Sequence, residues 1–417
     1  MKKLPIGIQS FSKLRKEDCL YVDKTEDIYR LMSSGNTFFL SRPRRFGKSL
    51  LLSTMEEIFR GNKDLFEGLY IYDKIDWEQK YPIIKIDWSV IKHTTQEEME
   101  DDMSAYLDGM AANYQITLSR KYASGRFDEL IRLLHEKIGK QVVVLIDEYD
   151  MPILDALNKP DTIGEIRNFL QSFYKVLKAN DVHLRFVFLT GVSKFSKVSI
   201  FSGLNNLNDI TMNTKYATIC GYKHDELLSS FAEQITDFAR SENVSETDVV
   251  ESIRRWYNGY SWDGHTSVYN PFCTLLLFDN NSFNDYWFAS GTPTFLINMI
   301  KERNDVMLLL EPTQIPSVGF DSFDPVTLDT KLLLFQTGYL TVKSVARSRF
   351  GEHLTYTLGI PNEEVRRSLM TYLVADYASC PISDAAPMRD RMLGQIFDGD
   401  IASFERSMQE RGINAKL

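Results

Sequence analysis

The octapeptide Arg42–Ser49, RPRRFGKS, concentrates more reactive chemistry than any other stretch of this chain. A loop closing on Gly-Lys-Ser ahead of a helix is built to hold phosphate. Gly47 lets the backbone approach without a Cβ, and Lys48 reaches the outer phosphates. The Ser49 hydroxyl can ligate magnesium, while the loop and helix N–H groups add positive field. Arg42 stands where the usual G-x-x-x-x-G-K-[ST] spacing has its first glycine. A basic turn that merely opens a helix is the competing reading, and the flanking elements weigh against it. The expected nucleotide contacts are Arg44, Arg45, Phe46, Gly47, Lys48, Ser49 and Leu50.

A second group ends the apolar run VVVLIDEYD, Val142–Asp150. In a phosphate-loop ATPase, an acid at the end of a buried strand faces the metal. Asp147 therefore pairs with Ser49 as a metal residue, and Glu148 is placed to orient the attacking water. Phosphoryl transfer is mostly positioning and charge stabilisation, so these acids suffice in kind. Asp150 reads as an accessory or helix-capping acid. Thr190 ends the next apolar run, LRFVFLT, where a polar residue can sense the γ-phosphate; Ser193 and Lys194 follow it. Together Lys48, Glu148 and Thr190 form the expected catalytic set, with ATP and Mg²⁺ as cofactors. No arginine finger is assignable.

The elements that must position these residues alternate. TFFL (37–40), IIKID (83–87), QVVVLI (141–146) and LRFVFLT (184–190) read as strands, with a short last strand at 217–220. Helical patterns cover 48–59, 96–114, 127–138 and 163–179; in the first, Leu51, Met55, Ile58 and Phe59 share a face. Strand–helix alternation predicts an α/β fold with a mainly parallel sheet, here a P-loop NTPase core over residues 1–222. A helical lid region, 223–311, follows and is interrupted by the turn-rich segment WYNGYSWDGHTSVYNP at 256–271. A linker is expected at 312–325, then helix 326–336, strand 339–342, strand 354–358 and a helix capped by Asn362. That order has the shape of a winged helix, assigned to 312–372, and 373–417 is left as a helical tail or the start of a truncated domain.

Composition narrows the classes. The chain has 417 residues and a formal net charge of −9, so any nucleic-acid contact must be local. Its four cysteines are scattered, as are its six histidines, which favours reduced thiols in a cytoplasmic protein and no side-chain metal cluster. No run approaches the roughly 20 apolar residues of a membrane helix.

These residues resemble the bacterial AAA-ATPase-like family whose members usually carry a C-terminal PD-(D/E)XK nuclease-like domain. The resemblance runs through LPIGIQSFSKLR, LYVDKT, RPRRFGKS, LIDEYD, LTGVSKFSKVSIFSGLNNLNDIT, WYNGYSWDG, VYNPF, FASGTPTFL, LLFQTGYLT and YTLGIPNEEVRRSL. It implies an ATPase core of the additional-strand type, a helical lid and a winged-helix-like region. It also implies that Lys48, Ser49, Asp147 and Glu148 are the functional positions, and that YVDKT, with Asp23, lies near the base. Asp23 and Lys24 could equally form a surface ion pair. The nuclease-like domain of the family would begin near the end of this chain, yet the tail after Met388 contains no D…(E)xK pair; the chain is either a fragment or a member without that domain.

The expected function is Mg-dependent ATP binding and hydrolysis that drives or gates a conformational change. The alternative is a non-hydrolysing switch or scaffold for a protein partner or a second copy. DNA is a third partner class, through Lys343, Arg347, Arg349, His353, Arg366 and Arg367 of the winged-helix-like region. Metal-dependent DNA cleavage needs acids beside the scissile phosphate. The acidic strand end identified above is committed to ATP, so this polypeptide should not cut DNA. Magnesium-dependent cleavage that disappears on mutating the chain's own acids would contradict this.

Overall fold

The computed structural model describes residues 1–157, 160–194, 204, 206–289, 300, 303, 312–321, 329–347, 353–397, 400 and 403. Its centre is a five-stranded parallel sheet in the order β2-β3-β4-β1-β5. The strands are β1 (Thr37–Ser41), β2 (Ile83–Asp87), β3 (Val142–Asp147), β4 (Leu184–Gly191) and β5 (Asn208–Asp209). Every residue of β1 and β3 is buried, as a strand covered on both faces requires. The additional strand β4 stands between β1, which feeds the phosphate loop, and β3, which ends in Asp147.

Two helix groups cover the sheet. Helices α1 (Phe11–Lys16) and α3 (Lys48–Phe59) pack together, and α3 lies on β3 and β4. The other group contains α4 (Gln96–Asn113), α5 (Ala123–Ile138) and α7 (Pro160–Ala179), with α5 against β3. Trp88, fully buried after β2, meets Phe173 and Tyr174 of α7, and Phe127 of α5 stacks on Phe173 with centroids 4.6 Å apart. Helix α2 (Thr25–Ser34) follows α1 in the chain, and the short α6 (Met151–Asp155) follows the acidic strand and contacts α7.

Beyond the sheet come α8 (His224–Ser230), α9 (Ala232–Glu242), α10 (Glu246–Tyr257), α11 (Pro271–Asn280) and α12 (Tyr286–Ala289). A three-stranded antiparallel sheet, β6-β8-β7, follows, built from β6 (Thr313–Pro316), β7 (Thr341–Arg347) and β8 (Leu354–Gly359). Helix α13 (Thr330–Thr337) precedes β7, and α14 (Glu363–Tyr377) and α15 (Ile382–Phe397) pack on each other after β8.

Three expectations need correction. Residues 217–220 are not a strand. The place beside β1 is taken by Asn208–Asp209, which pair with Phe38 and Phe39, and the apolar Ile219 and Cys220 are buried in a turn instead. The segment read as a linker contributes β6, because Ile315 is buried in register with Tyr356 of β8. The strand expected at 339–342 runs from Thr341 to Arg347. The helix expected from 326 is seen from Thr330, where Asp329 accepts from the Lys331 and Leu332 amides; residues 326–328 lie outside the described set, as does Arg349. Lys343 is exposed on β7, and its amine donates to the Pro361 carbonyl at 3.1 Å.

The two regions meet at the phosphate loop. Gly338, at the end of α13, has φ +93°, and a Cβ there would stand 2.8 Å from the Pro43 Cβ. Left-handed backbone and close approach both demand glycine. Gly338→Ala should therefore cost about 1–3 kcal/mol and lower the melting temperature. An unchanged melting temperature would show that this contact is loose.

Candidate functional site

The phosphate loop is built as a turn under tension between two anchors. Arg45 (φ +70°) and Gly47 (φ +87°) both adopt left-handed backbone, turning the chain so that α3 begins at Lys48. The helix N-terminus thereby points into the loop, where its unpaired N–H groups favour an anion. Lys48 is 4% exposed, and its ammonium donates to the carbonyls of Arg42 (3.1 Å) and Pro43 (3.2 Å). It also lies 3.8 Å from Glu148 Oε1.

Arg42, in the place of the usual first glycine, is fully buried. Its guanidinium donates to the carbonyls of Ser41, Thr211 and Tyr216 and lies 3.8 Å from the centroid of the Trp262 ring. Burial pushes its pKa down to about 10. Among the described residues no carboxylate pairs with it. Phe46 is an anchor of the same kind, edge-on to Tyr260 (4.8 Å) and Trp262 (5.6 Å). The Arg44 carbonyl accepts from the Trp287 indole, and the Arg45 guanidinium lies over Phe272 at 4.8 Å. Thus the side chains of Arg42, Arg45 and Phe46 and the Arg44 carbonyl are engaged by the aromatic segment and α11–α12, while Lys48 and Ser49 line the cavity.

That cavity is about 390 Å³. The loop, from Arg44 to Leu50 without Phe46, makes one wall; Asp87, Ser89, Asp147 and Glu148 make the floor; Pro5, Gly7, Ile8, Gln9, Tyr222 and Phe272 contribute the rim. A smaller apolar cavity adjoins it, lined by Leu20, Tyr21, Val22, Phe46 and Ile219, and the two share Pro5, Gly47, Leu50, Tyr222 and Pro271.

The acids differ by environment. Asp147 is 4% exposed; burial raises its pKa, and a hydrogen bond from Ser49 pulls in the other direction. Glu148 sits at φ +49°, a conformation that costs a non-glycine residue about 1–2 kcal/mol. Such strain is commonly found at functional sites. Asp150 is fully buried and raised to about 6, by desolvation first and the Glu148 charge second. It accepts from the Val192 and Ser193 amides, ties the end of β4 to α6, and so has the accessory, structural place. A Cβ on Gly191 would lie 2.2 Å from its Oδ1.

Other expected residues stand apart from the cavity. The Thr190 hydroxyl donates to the Leu40 carbonyl at 2.8 Å, and Val192 rather than Thr190 lines the wall. Lys194 pairs with Asp209 at 2.7 Å. Asp23 accepts from the backbone amides of Thr25 and Tyr70, while Lys24 pairs with Glu226 at 2.6 Å and not with Asp23. Lys24 lines the smaller cavity. Sequence reasoning passed over Asp87, although IIKID ends in an acid just as VVVLID does. It also passed over the rim residues, which carry no motif.

A parallel sheet whose first strand runs through a Gly-Lys-Ser loop into a helix, with an acid-ended strand one strand away, defines an α/β nucleotide-binding protein of the phosphate-loop class. Comparison with known proteins agrees. A family model described as predicted AAA-ATPase matches residues 5–201. A protein of Azotobacter chroococcum mcd 1, called an uncharacterized protein in the vnfD 5'region, is 42% identical over 398 residues, covering 95% of this chain and 74% of that protein. No solved structure matches. The chain belongs to this AAA-ATPase-like family. Among the described residues, no helix is long and apolar enough to cross a membrane.

The raised Asp150 pKa gives a signed prediction. A carboxyl raised in the fold contributes stability that is complete below its unfolded value of 3.8 and is lost as pH rises through about 6. The parent should thus lose on the order of 2–3 kcal/mol across that window from this group. Asp150→Asn should flatten that slope in a pH series of thermal melts; an unchanged slope would contradict it.

Proposed function

We propose that this protein binds ATP with magnesium at the Arg42–Ser49 loop, hydrolyses it, and uses the cycle to gate movement between the sheet and the C-terminal elements. One observation carries the reading: Lys48, Ser49, Asp147 and Glu148 converge on one cavity at the N-terminus of α3, with Lys48 3.8 Å from Glu148 and Ser49 bonded to Asp147. The residues suit a hard divalent cation, because a hydroxyl and a buried carboxylate are oxygen donors already held side by side. Ser49 and Asp147 would hold it. Magnesium, when bound, would supply charge neutralisation at the phosphates.

The chain's own groups account for the rest. Lys48 is held ready by two loop carbonyls and would exchange them for phosphate oxygens. The α3 N-terminus and the loop amides would cradle the same phosphates. Glu148, 28% exposed at its side chain, can reach a water on the cavity side and orient it for attack. The smaller cavity offers apolar walls at Leu20, Tyr21, Val22 and Leu50 for the base. Movement of the loop would be felt by Trp262, Tyr260 and Trp287, because they grip its side chains and one of its carbonyls.

Lys48→Ala should weaken ATP binding about 10–100-fold, the loss of a charge-assisted contact, with little change in melting temperature without nucleotide. Equal affinity of mutant and parent by calorimetry would remove the loop from the reading. Glu148→Gln should bind ATP nearly as the parent does but turn it over about a hundredfold more slowly or worse. Unchanged steady-state phosphate release would transfer the role to another acid. Binding without any turnover by the parent would favour the switch or scaffold.

A further inference from the structure

Strand β2 ends in Asp87, directly in register with Asp147 at the end of β3. Neighbouring strands lie about 4.8 Å apart, and registered residues of parallel strands face the same side of a sheet. That side is the one covered by α3. Lys85, two residues before Asp87 on the same face, pairs with Glu56 of α3 at 2.9 Å, and Asp147 receives the Ser49 hydroxyl from the first turn of α3. Both aspartates line the cavity.

The Lys48 charge acts on Asp147 from a distance, but among the described residues no lysine, arginine or histidine forms an ion pair with either carboxylate. Lys85 is committed to Glu56, and Lys48 to the loop carbonyls beside Glu148. One oxygen of Asp87 accepts the Ser89 amide at 2.9 Å, and the other takes no partner among the described residues. Two adjacent carboxylates on a cavity floor call for a cation with hydrogen-bond donors to offer. Magnesium keeps several waters when it binds, and those waters are such donors.

We propose that Asp87 is a positioning residue of the metal side, accepting hydrogen bonds from water bound to the cation that Ser49 and Asp147 hold. The proposal rests on the nucleotide reading given above and extends it to a residue outside the phosphate-loop and acidic-strand motifs. Asp87 is thereby distinguished from a simple turn-capping acid. Asparagine would keep the Oδ1 acceptor for Ser89 and lose only the charge.

The test is the magnesium dependence of nucleotide binding, followed with a fluorescent ATP analogue for the parent, Asp87→Asn, Asp87→Glu and Lys48→Ala, each with a magnesium series and with EDTA. Partners of this kind typically set metal affinity about 10–100-fold. Asp87→Asn should raise the half-saturating magnesium concentration about tenfold or more, with affinity in EDTA equal to or better than the parent's. Asp87→Glu, which keeps the charge, should recover most of the coupling. If parent and Asp87→Asn give coincident magnesium curves while Lys48→Ala loses binding, this role for Asp87 is overturned and the nucleotide reading stands. If the parent binds no analogue, or Lys48→Ala binds it equally, both are overturned.

Discussion

A guanidinium buried at the start of the phosphate loop is the constraint around which this structure is arranged. Moving a cation out of water costs several kcal/mol, and among the described residues no carboxylate forms an ion pair with Arg42, Asp209 and Asp263 acting on it only from a distance. Compensation comes from three carbonyls and the face of Trp262. Bonds from a charged donor contribute about 1.5–3 kcal/mol each, and a desolvated cation–π contact about 2 kcal/mol. Those carbonyls belong to the last residue of β1 and to the segment after β5, and Trp262 belongs to the aromatic turn beyond α10. The single side chain therefore fastens three stretches that are distant in sequence. A glycine in its place would remove that fastening and leave Phe46, the Arg44 carbonyl and Pro43 as the loop's remaining ties to the elements beyond the sheet.

The rest of the site follows from that fastening. Arg42, Phe46 and the Arg44 carbonyl are engaged by elements outside the loop, and between them Arg45 and Gly47 take left-handed turns that bring the chain to the start of α3. The acids at and after the end of β3 are kept apart in character by depth. Asp150 is sealed in and holds β4 to α6, Asp147 is nearly sealed and touches Ser49, and Glu148 stays partly open beside Lys48. In the proposed cycle this gradient separates structural, metal-side and water-side work among three carboxylates within four residues of one another.

Much of this was legible in the sequence because the central strands are apolar throughout and the phosphate loop has a local signature. TFFL, VVVLI and LRFVFL read as buried strands in alternation with helices, and Gly-Lys-Ser gained its meaning from the strand before it and the helix after it. What stayed hidden depends on partners far along the chain. Arg42 read as a departure from the motif because Trp262 and Tyr216 gave no sign of meeting it. Thr190 read as a phosphate sensor because its bond to Leu40 is made across a strand pairing that residue types do not reveal. The short β5 was missed for a similar reason: Asn208–Asp209 lacks apolar residues, whereas Ile219–Cys220 has them and packs as a turn. Asp87 carried the same strand-end acid pattern as Asp147 but no motif drew attention to it.

The central claim is that the loop and the aromatic segment around Trp262 respond together to nucleotide. Hydrogen–deuterium exchange of the full chain, with and without ATP and magnesium, addresses it most directly. The account predicts slowed exchange in the loop at 42–49 and, in the same titration, altered exchange in the segment 256–270, with both changes reaching half-effect at one nucleotide concentration. Protection confined to 42–49, with 256–270 unchanged at saturation, would contradict the coupling; no change in either would contradict nucleotide binding at this loop.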